Sequence, residues 1–231
     1  MTRPAGLRRF VPGAEVPAPG GQLPGAGAAP AGQPSQSSPA DAAETCDMCS
    51  ETIPAGHSHV ADLEHSSLMC TCRACYLLFT RPDAGRGRYR AVPDRYLSDP
   101  KRPLSPAEWD ALDIPVGLAF FLRSSAQGRT AGFYPSPAGV TECQLDLAAW
   151  QRLADEHPLL ARFEPDVEAA LICRTGETIE HFCVPIDACY ELAGRMRLLW
   201  RGFDGGEEAR QSIDEFLSEV RRRARPLREE P

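Results

Sequence analysis

The chain has 231 residues, 42% of them apolar and 25% charged, with a formal net charge of −7. That length suits one domain of ordinary size and something smaller, and the composition excludes a collagen, a long coiled coil and a disulfide-dense miniprotein. No run approaches about 18 uninterrupted apolar residues, so no membrane-spanning helix is expected, and the net acidity disfavours a general nucleic-acid binder.

Residues 1–45 carry eight prolines and seven glycines, few large apolar side chains and balanced charge. Such a stretch cannot bury enough surface to offset its conformational entropy, and a disordered tail is expected. Arg8 and Arg9 are followed by Pro, Gly and Ala with Glu15 among them, so no hydrophobic export region follows. Nine cysteines, an odd number, without a signal peptide do not make a secreted disulfide scaffold. The expected location is the cytoplasm, with reduced thiols.

Residues 46–80 form a Cys-rich module that reads as knuckle, strand, turn, strand, knuckle. His57–Leu63 alternates, Glu64-His65-Ser66 is a turn, and Ser67–Met69 runs into the second Cys group, with Tyr76-Leu-Leu-Phe79 as apolar cover. Cys46-Asp-Met-Cys49 and, twenty-two residues on, Cys72-Arg-Ala-Cys75 are the strong motif. Two residues between cysteines let both thiolates reach one ion, and two such knuckles brought together by a hairpin supply a closed tetrahedron of the kind zinc prefers. The metal ligands expected are therefore Cys46, Cys49, Cys72 and Cys75. Cys70 would be a packed or spare thiol, and His57, His59 and His65 fall outside the set because four better ligands exist.

Paired Cys-x-x-Cys motifs also hold a single iron in rubredoxin-like carriers, and five nearby cysteines suit an iron–sulfur cluster. Zinc is favoured because neither knuckle has a glycine after its second Cys and only Tyr76 and Phe79 would shield a redox iron. A site closed by four protein ligands leaves no position for substrate and serves stability. With zinc and four thiolates the module carries a charge near −5 (four acids and Arg73 contributing), which weakens a nucleic-acid-binding role.

Residues 81–102 hold seven basic and three acidic residues and read as a basic connector in which Arg86, Arg88 and Arg90 alternate along an extended segment. It is either a solvated link or a patch for an acidic partner, nucleic acid included.

Residues 103–227 read as an α+β domain. Ser105, Pro106 and Glu108 form a helix start with a capping box. Val116–Leu122 is apolar on both faces and predicts a buried strand. Thr130–Tyr134 and Gly139–Gln144 predict two more strands, Asp146–His157 a helix stopped by Pro158, and Val167–Arg174 with Ile179–Val184 a hairpin. Two helices close the chain. The first places Cys189, Leu192, Ala193, Met196, Leu199 and Trp200 on one face, and the second Ala209, Ile213, Phe216, Leu217, Val220 and Ala224.

This domain has no phosphate-binding Gly loop, Gly-x-Ser-x-Gly or His-Glu-x-x-His motif, so no residue constellation asks for an enzyme, and the question of an activity stays open. Cys173, His181 and Cys183 would form a reactive or metal-binding trio if they met across the hairpin. Against that, buried thiols commonly pack as small hydrophobes. Asp187, Tyr190, Glu191 and Arg195 would line a polar docking face, or Asp187 would simply cap its helix.

The run Cys-Asp-Met-Cys…His-Ser-His…Leu-Met-Cys-Thr-Cys-Arg-Ala-Cys-Tyr-Leu-Leu-Phe resembles an uncharacterised, mainly actinobacterial family encoded beside nickel–iron hydrogenase genes. The later run Val-Pro-Ile-Asp-Ala-Cys-Tyr-Glu-Leu-Ala-Gly-Arg-Met-Arg-Leu-Leu-Trp-Arg-Gly-Phe-Asp-Gly-Gly-Glu-Glu does so too. The likeness covers residues 44–227. It implies an accessory or assembly role with hydrogenase subunits or maturation factors as protein partners, and it includes Cys70, which leaves the ligand set open.

The expectation is thus an α+β protein with a zinc-ribbon-like module, a mixed or antiparallel sheet and two C-terminal helices. Its rivals are a rubredoxin-like iron carrier and a zinc-ribbon regulator that binds nucleic acid.

Overall fold

A computed structural model describes residues 44–228 apart from 82 and 203. The expected tail lies outside the described residues except for Glu44 and Thr45.

The Cys-rich module is built on a hairpin of β1 (Ser58–Asp62) and β2 (Ser67–Thr71), followed by one turn of helix, α1 (Arg73–Leu77). The turn tightens on Asp62, whose carboxylate accepts from the amides of Glu64 and His65. A third strand, β3 (Tyr89–Ala91), pairs antiparallel with β1, giving a three-stranded sheet in the order β2-β1-β3. Segment 81–102 therefore contributes structure to the module. It is extended from Tyr89 only; the residues before it, Ala84–Gly87, form a 3₁₀ turn that includes Arg86. Arg88 grips Asp62 through two nitrogens and Glu64 through the third. Arg90 reaches Glu164 and the carbonyl of Pro165 in the next part of the chain.

The chain then passes through β4 (Leu97–Ser98) into the larger domain. Helix α2 (Pro106–Asp110) starts on the expected capping box: Ser105 Oγ accepts from the Glu108 amide, and the Glu108 carboxylate accepts from the Ser105 amide at 2.6 Å. Strands β5 (Leu118–Ser124), β6 (Arg129–Ser136) and β7 (Gly139–Cys143) form an antiparallel meander. Helix α3 (Leu147–Glu156) is capped by Asp146, which accepts from the amides of Ala148 and Ala149. Pro158 ends this helix but also opens a second, α4 (Pro158–Arg162). Its missing N–H and fixed φ suit the first helical position as well as a stop.

The expected hairpin follows as β8 (Glu168–Thr175) and β9 (Thr178–Pro185), then helices α5 (Ile186–Leu199) and α6 (Gly206–Arg223) and a short β10 (Arg225–Pro226). The seven strands run in the order β10-β4-β9-β8-β5-β6-β7, antiparallel except for the β10–β4 pair.

The sheet is covered on both faces. Leu118, Phe120, Leu171, Phe182 and Val184 pack against Leu192 and Met196 of α5 and Phe216 and Val220 of α6. Phe121, Ile172, Ile179 and Cys183 face Trp109, Trp150, Leu159 and Phe163 on the other side. This is why the run around Leu118–Phe121 lacks alternation: both sets of side chains enter a core. The fold is α+β, with the cysteine cluster near the start of the described chain.

The module sits on the domain through a small apolar cluster of Ala61, Val92, Val167 and Ile186. Arg95 adds a forked ion pair to Glu168, whose side chain is fully buried and also accepts from the Glu164 amide.

Candidate metal centre

The first knuckle is a tight reversal. The amide of Ser50 donates to the carbonyl of Cys46, the amide of Cys46 to Glu51, and Thr45 bridges to Thr52. Ser50 has φ of +63°, the left-handed conformation that glycine adopts without cost. The knuckle is then clamped to the end of β2: the Asp47 amide donates to the Cys70 carbonyl at 2.8 Å, and the Cys70 amide returns to Asp47 Oδ2 at 2.9 Å. The second knuckle is the start of α1, where Cys72 occupies the N-cap and its sulfur accepts from the Cys75 amide.

These two turns bring Cys46, Cys49, Cys72 and Cys75 together, their sulfurs all within 4.8 Å of one another. Cys49 Sγ and Cys72 Sγ are 3.7 Å apart. A tetrahedron with metal–sulfur bonds of about 2.3 Å has edges of about 3.8 Å, so the spacing fits one ion. Cys46 is buried and Cys49 exposed, with the other two between.

The thiols are electrostatically unequal. Burial opposes the Cys46 thiolate, but backbone amides of Cys72, Cys49 and Met48 outweigh it and bring this thiol down to about 6. Burial and the three neighbouring sulfurs push Cys75 up to about 12. One thiolate forms readily, the last is opposed by the others, and a dication offsets that repulsion.

A second convergence was not anticipated from the sequence. His57, His59 and Cys70 each place a ligand atom within 4.8 Å of the other two. The register of the hairpin sets His59 directly opposite Cys70. The expected turn at residues 64–66 was the signal that would have found the pair, since turn position fixes register.

Two other groups have their carboxylates engaged. Asp62, with Glu64 and His65, is held by Arg88 and His65 and kept near 2 against the opposing effect of burial. Glu108, near Glu156 and His157, serves Ser105 and His157.

The trio across the β8–β9 hairpin does not form. Cys173 packs in the core under α5 and α6, Cys183 in the opposite core, and Cys173 pairs across with Glu180. Alternation along the strands separates them. The helical face of Asp187 and Tyr190 is turned toward the Cys-rich module. Asp187 bonds His59 Nδ1 at 2.8 Å, Tyr190 packs against the cluster beneath the module, and the N-cap of α5 is Pro185. Glu191 and Arg195 pair with each other.

The segment expected to cover the cluster does so only in part. Tyr76 donates to the Val92 carbonyl and Phe79 packs edge-on against Tyr89, whereas Leu77 and Leu78 are 52% and 66% exposed. No helix among the described residues is long and apolar enough to cross a membrane.

No curated protein and no solved structure matches the chain. The model of a family of unknown function, DUF5947, matches residues 45–224, from the first cysteine knuckle to the end of the last helix, and the chain belongs to that family.

Proposed function

We propose that this protein is a zinc-binding accessory or assembly factor that works by docking onto other proteins in the cytoplasm, in the service of nickel–iron hydrogenase biogenesis. The observation that carries the metal reading is the convergence of four sulfurs from two knuckles at tetrahedral spacing. Four protein ligands close the coordination shell, so the ion's role is to hold the module's shape. Even with β3 added, the module is small and buries few apolar side chains of its own, so an ion would help to hold its shape.

Docking is supported by Leu77 and Leu78, adjacent leucines left in solvent two and three residues after Cys75, on a turn capped by Cys72. The hydrogenase association rests on the sequence resemblance alone. Hydrogenase subunits or maturation factors are the proposed partners.

Protein purified without added metal should be colourless and carry tightly held zinc. A red protein with visible charge-transfer bands would replace zinc by iron in the same four thiolates. Affinity capture from the native host should bring down hydrogenase subunits or maturation factors, and Leu77→Asp/Leu78→Asp should abolish capture without loss of zinc. Capture without either, together with normal hydrogen uptake in a deletion strain, would defeat the assembly reading.

A further inference from the structure

We infer that His57, His59 and Cys70 form a second metal site, distinct from the four-cysteine centre, which takes a borderline dication such as zinc and leaves one coordination position open to solvent.

The geometry begins with the hairpin. His57 immediately precedes β1 and His59 is its second residue, and the two rings come side by side. His59 pairs directly with Cys70 on β2, which adds the thiol to the face that carries His59. The two imidazoles lie with ring centroids 4.7 Å apart, and the three ligand atoms fall within 4.8 Å of one another.

The second observation concerns the ring nitrogens. His57 Nδ1 lies 2.9 Å from the Pro54 carbonyl oxygen, with Glu44 also beside it at 3.3 Å. His59 Nδ1 lies 2.8 Å from Asp187 Oδ2. In each ring an oxygen engages Nδ1; in His57 this leaves Nε2 over, and in His59 it leaves the other edge of the ring on Cys70, the third member of the set. This is how metal-binding histidines are oriented: one nitrogen on the ion, the other N–H held by a carbonyl or carboxylate.

His57 Nε2 is buried with no hydrogen-bond partner, in a side chain that is only 7% exposed. An unpaired buried nitrogen of this kind is costly unless something completes it. A cation does so, and the donor set of two imidazoles and a thiolate suits zinc or cobalt rather than calcium or magnesium.

Three protein ligands distinguish this site from its neighbour. The four-cysteine centre is coordinatively full, whereas a tetrahedral ion held by His57, His59 and Cys70 keeps a fourth position for water or another small donor. His59 and Cys70 are only partly buried, so solvent reaches the face on which that position would lie.

The test is cobalt and zinc uptake by the full chain, counted per protein with His57→Ala and Cys70→Ala beside the wild type. Each variant should take up one equivalent fewer than the wild type at saturation. Asp187→Asn should keep that equivalent but bind it about 10–100-fold more weakly. In the cobalt-loaded wild type, added azide should shift the visible bands, and this response should vanish in both variants.

The difference between wild type and variant isolates this site, because the four-cysteine centre is common to both; its failure would lower every count equally. Equal uptake by wild type and both variants would overturn the proposal. So would an azide response that survives in them. Should Cys70→Ala disturb the module, as judged by circular dichroism, His57→Gln gives the same reading from a residue outside the strands.

Discussion

Neutral His181 should make this protein sensitive to mild acid. The side chain lies on β9, is 3% exposed, and has no partner for Nε2. The ring of His157 stands edge-on at 5.3 Å. Burial first, and then the electrostatic influence of the neighbouring His157, lowers His181 to about 4; Asp99 and Glu108 oppose this only in part. The unfolded chain takes up this proton near the ordinary 6.5, whereas the folded protein resists it until about 4. The stabilisation is therefore complete above about pH 6.5, declines as pH falls, and is exhausted below about pH 4. The full depression is worth about 3 kcal/mol, of which about 2 kcal/mol is lost between pH 7 and pH 5. Urea unfolding of wild type and His181→Leu at both pH values, with zinc held constant, measures it. The wild type should lose about 2 kcal/mol more than the variant over that interval. Thiolate protonation is shared by both proteins and cancels. Parallel pH profiles would refute the reasoning.

Arg95→Met strands the fully buried Glu168 and should cost about 3 kcal/mol, the low end for a broken buried pair because the guanidinium is two-fifths exposed; Arg95→Met/Glu168→Met should recover most of that in the same urea assay. Gly139 has φ of +99°, and an added Cβ would sit 2.9 Å from the Ala193 carbonyl oxygen, so Gly139→Ala should cost about 1–3 kcal/mol. Gly128→Ala, at φ of +63° but with nothing within 4 Å, should cost less, and thermal melts compare the two. Cys46→Ser and Cys75→Ser should each lower metal content and expose the module to protease, while Cys143→Ser leaves both unchanged; equal loss from all three would show the ligand choice to be wrong.

Much of this fold was legible because its signals are local. Ser105, Pro106 and Glu108 announce a helix start within four residues, and the apolar run at β5 announces a doubly covered strand. The two Cys-x-x-Cys knuckles are equally local, and the hairpin needed only to bring them together. What escaped the sequence depends on distance along the chain. Asp187 lies 128 residues from His59, and no spacing rule links them. The same holds for Arg90 and Glu164, which turn part of an apparent solvated basic run into internal ion pairs. Leu77 and Leu78 were misjudged for the opposite reason: apolar character next to a knuckle suggests cover, but a single helical turn cannot direct all of its side chains inward.

The His59–Asp187 contact has a consequence for vectorial synthesis. The ribosome completes both cysteine knuckles before it makes the helix that carries Asp187, and β9 and β10, which flank β4, also emerge late. The nascent module is thus made before the surface it will rest on, and the carboxylate of Asp187 reaches the His59 imidazole only late in synthesis.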